Sequence, residues 1–149
     1  DASGTERNHG PERAGGGADE GEGEEGEVGM KQSLFIPGPL PGMNDYIGKG
    51  QRFKYNTDKK RWALTVGACI RSAKLQPVER AFIYWKWKEK NRRRDPDNFI
   101  AIGKKFILDA LTTCGVLKGD GWDHIEGFWD TWEVSDEPGV LVIIEEEGR

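Results

Sequence analysis

Residues 78–115 read VERAFIYWKWKEKNRRRDPDNFIAIGKKFILDALTTCG, and within them the hydrophobic period changes from two to nearly four. Ile83, Trp85 and Trp87 alternate with Phe82, Tyr84, Lys86 and Lys88. A strand with one dry and one wetter face requires this, because successive side chains point to opposite sides. The alternation runs straight into Lys90-Asn91-Arg92-Arg93-Arg94. Asp95 then suits a helix N-cap, Pro96 the first helical position and Gly115 the residue just past the C-terminus. These signals bracket a helix over about Asp97–Cys114, whose Phe99, Ile102, Phe106, Ile107, Ala110 and Leu111 make a broad apolar face.

Upstream, Ser33–Ile36 is a short apolar run closed by Pro37-Gly38-Pro39-Leu40-Pro41-Gly42, a strand feeding a stiff loop. Trp62, Val66, Cys69, Ile70 and Ala73 recur at helical spacing, which predicts an amphipathic helix with Thr57 as N-cap, ending before Pro77. Downstream, a strand over about Ile125–Val134, a turn at Asp136-Glu137-Pro138-Gly139 and an apolar run Val140–Ile144 read as a hairpin. The five apolar residues of that run demand burial on both faces. The order is β-α-β-α-β-β: an α+β domain with a mixed sheet and its helices packed on one side.

At 149 residues the chain has room for one such domain. Residues 1–29 hold nine Gly and nine Asp or Glu against Arg7 and Arg13, a balance of −7 in a chain of −4, so residues 30–149 stand at +3. All fifteen aromatics follow residue 30. With Ala2, Ala14, Ala18 and Val28 as its only apolar side chains, the segment 1–29 buries too little to repay roughly 1–2 kcal/mol of ordering cost per residue, and it is expected to be a disordered acidic tail. Met30 reads as a natural start. No apolar run approaches a membrane span of roughly 18 residues, and no basic-then-apolar leader opens the chain, so a soluble cytoplasmic protein is expected. Cys69 and Cys114 lack metal-ligand spacing and fit a reducing compartment, while His9 and His124 are too few for a zinc site.

The chemistry-bearing residues gather around residue 95. Asp95 and Asp97 stand two apart at a helix start, where two carboxylates repel unless a proton or a cation such as Mg²⁺ lies between them. Read alone, the pair is more simply an N-cap and a carboxylate favoured by the helix dipole. Lys86, Lys88, Lys90, Arg92, Arg93 and Arg94 fill six of the nine positions from 86 to 94, a charge run suited to nucleic-acid phosphates or, taken by itself, equally to a solvated edge. Asp120 lies in a Gly-Asp-Gly turn from which a returning strand would bring it back to the pair. Asp109 reads as structural, a partner for Lys105 or a loop; His124 reads as an ordinary packed or surface residue; Trp122, Trp129 and Trp132 are of a type that can stack on bases, but after a turn or along a strand they read as core.

The segments Arg94-Asp95-Pro96-Asp97-Asn98, Lys105-Phe106-Ile107-Leu108-Asp109-Ala110-Leu111 and Gly115-Val116-Leu117 with Asp120 resemble the RusA family of Holliday junction resolvases. Phe35-Ile36-Pro37-Gly38-Pro39-Leu40-Pro41-Gly42-Met43-Asn44 is similar to that family's first strand and proline loop, especially in prophage-type members. The resemblance spans about Met30 to the C-terminus and is specific over 94–120. It implies a homodimeric, Mg²⁺-dependent endonuclease that resolves four-way DNA junctions by paired nicks in recombination and repair, with Asp95, Asp97 and Asp120 as its catalytic, metal-binding carboxylates. The family's lysine stands four residues after the second Asp, a position held here by Ala101. Counting back from Asp109 gives Lys105, with Lys104 as the alternative; Lys105 starts roughly 12 Å from Asp97 along the helix. Two rivals use the same residues: a metal-dependent nucleotide phosphohydrolase, and a non-catalytic branched-DNA-binding protein whose carboxylates only cap a helix.

Overall fold

A computed structural model describes residues 30–146. The expectation for the acidic segment 1–29 falls outside them. Four strands and two helices follow in the order β1 (Lys31–Pro37), α1 (Gln51–Ala73), β2 (Ala81–Glu89), α2 (Pro96–Thr113), β3 (Ile125–Val134) and β4 (Gly139–Glu146). The sheet order is β1-β4-β2-β3, with β2 parallel to β3 and antiparallel to β4. This is the expected α+β architecture with a mixed sheet.

The alternation in β2 does what its period demands. Ala81, Ile83, Trp85 and Trp87 are buried on one face, in register with Val140, Val142 and Ile144 of β4. Leu34 and Ile36 of β1 continue the same face. Both helices close over it: Val66 and Ile70 of α1 and Phe99, Ile107, Ala110 and Leu111 of α2 join one hydrophobic core with these strands. Trp85 and Trp87 stack at 5.6 Å between ring centres, and losing a buried ring of this size costs about 3–5 kcal/mol. The opposite face carries Phe35, Leu141, Ile143, Tyr84 and Trp129, and no helix covers it among the described residues.

Two elements depart from expectation. β3 and β4 form no hairpin, since β2 lies between them. The run Val140–Ile144 needs a strand on each side, and β1 and β2 supply both, leaving the largely exposed β3 as an edge. The connection 135–138 therefore crosses the end of β2, held by Ser135 N–H to the Glu89 carbonyl (2.8 Å) and by Gly38 N–H to the Pro138 carbonyl (2.9 Å). Further, α1 starts at Gln51, so Thr57 lies inside it rather than capping it. Gly50, at φ +77°, turns the chain into the helix without a side-chain cap. The added length, about two turns, is held by Tyr55, whose ring sits 5.1 Å from Tyr46 and 5.6 Å from Phe106.

Candidate active site

The exit of β2, the proline loop and the first turn of α2 meet at one end of the sheet. Arg94 joins them: its Nε and Nη2 donate to the Glu89 carboxylate at 2.9 and 2.8 Å, and Nη1 donates to the Leu40 carbonyl at 2.9 Å. Asn98 accepts the Asn44 N–H at 2.9 Å, which packs the loop on the helix start. Gly42 permits this approach, since a Cβ there would lie 2.6 Å from Asn98 Oδ1. Arg94, expected to face DNA, thus has its charge offset by Glu89 and ties three segments together.

Asp95 occupies the N-cap position of α2, but its side chain makes no capping hydrogen bond; the turn is closed by the Asp95 carbonyl, which accepts from Asn98 N–H at 2.9 Å. Asp97 follows in the first turn. Both are exposed, and neither is paired with a cation among the described residues. The simple capping account of Asp95 therefore does not explain its carboxylate, and the N-terminal end of the helix dipole favours both negative charges.

Asp120 is not brought to this pair within one chain. A strand, a helix and a second strand parallel to the first return the chain to the end of the sheet where it started. Leu117 bridges Val78, and the His124 carbonyl accepts the Ala81 N–H, both at the beginning of β2, whereas Asp95 follows its far end. The 18 residues of α2 span roughly 27 Å, which sets the separation on the order of 25 Å. Among the described residues no group of three His, Cys, Asp or Glu could hold a metal ion. The three carboxylates of a single chain do not fit the Mg²⁺ site that the resemblance implies.

Both candidate lysines are engaged. Lys105 is half exposed and pairs with Asp109 at 3.6 Å, as the spacing of the two suggests. Lys104 is 16% exposed; its Nζ donates to Asp130 Oδ2 at 2.8 Å and lies 4.2 Å from the Phe128 ring centre and 5.3 Å from that of Trp85. The other oxygen of Asp130 accepts the indole N–H of buried Trp87 at 2.8 Å. Lys104 is thus part of the contact between α2 and β3.

Among the remaining cations, Lys88 is bound to Glu133 at 2.7 Å, and that hydrogen bond, with the lysine's charge, holds the Glu133 carboxyl below the usual range. Lys86, Lys90, Arg92 and Arg93 are exposed without ion pairs among the described residues. A second basic surface escaped the sequence reading: residues 49–61 carry Lys49, Arg52, Lys54, Lys59, Lys60 and Arg61 against Asp58 alone. This density was the available signal. Asp58 is buried and accepts from Tyr46 Oη at 2.8 Å and from Arg61 at 3.2 Å; burial of the phenol, and then its hydrogen bond to Asp58, pushes Tyr46 well above its ordinary pKa.

The tryptophans expected in the core are not there. Trp122 is 94% exposed, Trp132 53% and Trp129 41%. All lie on β3 or on the loop before it, the edge of the sheet that the helices cover least. His124 is partly exposed, with Nδ1 3.2 Å from the Glu79 carbonyl, an ordinary local contact. Among the described residues no helix is long and apolar enough to cross a membrane. Compared with known proteins, the chain matches no family model and no curated sequence.

Proposed function

We propose that the protein is an endonuclease of four-way DNA junctions, Mg²⁺-dependent and of the RusA type, acting as a two-fold homodimer. The observation that carries this reading is the pair Asp95 and Asp97: two exposed, uncommitted carboxylates at a helix start, flanked by the free cations Lys90, Arg92 and Arg93. Structural capping would have engaged the Asp95 carboxylate, and a solvated charge run does not account for uncommitted carboxylates set among uncommitted cations. In this reading the cations seat the phosphates of the junction arms, a positioning role that carries no base preference.

The separation of Asp120 from the pair adds a requirement. Assembly of all three carboxylates needs the Asp120 turn of a second chain, and a two-fold contact would supply it twice, once for each of two opposed strands. A single chain is then an incomplete enzyme. Among the described residues the cavity beside the pair opens to solvent rather than closing around a ligand, which disfavours the nucleotide-hydrolysing alternative and its need for an enclosed pocket.

The test is cleavage of a synthetic four-way junction with and without Mg²⁺, using two inactive variants separately and mixed. Asp95→Asn/Asp97→Asn and Asp120→Asn are each expected to be dead. After unfolding and refolding together, the mixed dimers hold one intact site, and nicking returns. No cleavage by the unaltered protein with any divalent ion would refute the enzyme reading. Cleavage without recovery in the mixture would refute the shared site.

A further inference from the structure

Beside the carboxylate pair lies a cavity of about 530 Å³, reached by Asp95 and Arg92, whose aromatic wall the proposed phosphate chemistry leaves unused. Its lining includes Asn91, Arg92, Asp95, Trp132 and Val134, together with Glu89 and Glu133, whose charges are offset by Arg94 and Lys88. Trp132 stands opposite Trp87 in the β2–β3 register but one strand further out, so its ring is half exposed where that of Trp87 is sealed. It makes no ring contact, hydrogen bond or cation contact among the described residues. Arg92 has no partner there either. Asn91 uses its side-chain oxygen to accept the Arg93 N–H at 3.0 Å, which leaves its NH₂ group to donate outward.

An exposed indole that none of the described residues covers costs solubility, and an uncommitted guanidinium and amide at the same cavity give the place a defined chemistry. It offers a flat π surface, a hydrogen-bond donor for a heterocycle edge and a cation for the adjoining phosphate. These match one kind of group, an unpaired nucleotide, whose base stacks on an aromatic ring whatever its identity. A paired base inside a duplex cannot present its face. Strands that cross between arms can.

We infer that Trp132 is the stacking platform for an unpaired nucleobase, and that this cavity makes the protein select single-stranded or branch-point DNA over intact duplex. The inference takes its polymer from the nuclease reading and assigns within it the group that recognises the branch. Arg92 holds the phosphate next to the stacked base, Asn91 contacts the base edge, and Val134 packs beside the ring.

The experiment measures binding of a fluorescein-labelled oligothymidylate, a linear duplex and a four-way junction carrying 2-aminopurine at the crossover. Trp132→Ala is expected to weaken oligothymidylate and junction binding by about tenfold to a hundredfold, the range for removing a base-stacking aromatic. Duplex binding should stay unchanged, and the fluorescence quenching of 2-aminopurine should disappear. Trp132→Phe should retain both within about threefold. Trp129→Ala, on the opposite sheet face, controls for general surface damage and should behave as the unaltered protein does. Equal oligothymidylate affinity in Trp132→Ala overturns the inference, as does an equal loss in Trp129→Ala. A change of oligomeric state with DNA affinity intact also overturns it, because the ring would then be a protein contact. If the unaltered protein cuts no junction yet Trp132→Ala loses oligothymidylate binding, the nuclease reading falls and the stacking site stands. If it cuts and Trp132 does not matter, the reverse holds.

Discussion

Replacing Asp130 by alanine discriminates between a lysine kept for catalysis and a lysine kept for structure. One Asp130 oxygen takes the indole N–H of Trp87, a ring only 2% exposed, and the other takes Lys104 Nζ, each at 2.8 Å. Without the carboxylate the Trp87 N–H is left buried and unpaired, which costs about 1–3 kcal/mol. Lys104 loses the anion that offsets its partial burial, adding about 1 kcal/mol after it swings toward water. The total is about 2–4 kcal/mol. At an unfolding entropy of about 2.1 cal/mol/K per residue, the 117 described residues give a fall in Tm of roughly 8–16 °C. Lys104→Met should fall by about half as much, because Trp87 keeps its acceptor. Lys105→Met, removing a half-exposed pair at 3.6 Å, should move Tm by no more than about 2 °C. Thermal melts of the three variants, confirmed by urea titration, are the assay. If Asp130→Ala melts within about 2 °C of the parent, the network does not hold α2 to β3. If Lys105→Met is the more damaging lysine variant, the division of roles drawn between the two is wrong.

Asp95→Asn and Asp97→Asn should keep the parent's Tm within about 2 °C while abolishing junction cleavage, since neither carboxylate holds structure together; a large drop in Tm would show a capping role. Neutralising Lys90, Arg92 and Arg93 should flatten the slope of log affinity against log salt by about 0.9 for each phosphate that is no longer neutralised, whereas Arg94→Ala should chiefly lower Tm by releasing the proline loop; a salt slope unmoved by the triple substitution refutes the phosphate role. With a thiol reagent near pH 8, exposed Cys114 should react first and Cys69 last, because burial raises the Cys69 thiol and so lowers its thiolate fraction. Raising the pH should speed Cys69; two equal, fast phases would contradict its burial.

How far the sequence could be read depended on the range of the information. Elements whose signals are local were legible: the alternation around Trp85, the Asp95-Pro96 start of α2 and Gly115, which takes φ +82° past its end. Pairing was not. Nothing in Ile125–Val134 or Val140–Ile144 says that each chooses β2 rather than the other, because register and neighbour are fixed by which sheet face the helices seal. The same limit affected the site. Asp95 and Asp97 are adjacent in sequence, so their grouping was visible, but the place of Asp120 depends on strand direction. The exposed tryptophans were misread because aromatic composition says core on average, and only an edge position in the sheet reverses that.

The position of β4 between β1 and β2 has a consequence for how the molecule comes to exist. Among the described residues β1 pairs with β4 alone, so the first of these four strands to be made waits for the last of them. A nascent chain that has reached Pro138 can form α1, α2 and the parallel pair β2–β3, yet its apolar Leu34 and Ile36 have no sheet to join. Closure of so long a loop is an entropic delay before any reward. Folding is therefore expected to be held back until β4 emerges and slides between its two neighbours, completing the sheet in one cooperative step. A truncation that removes residues 139–146 would cost the protein both halves of its sheet, not one edge.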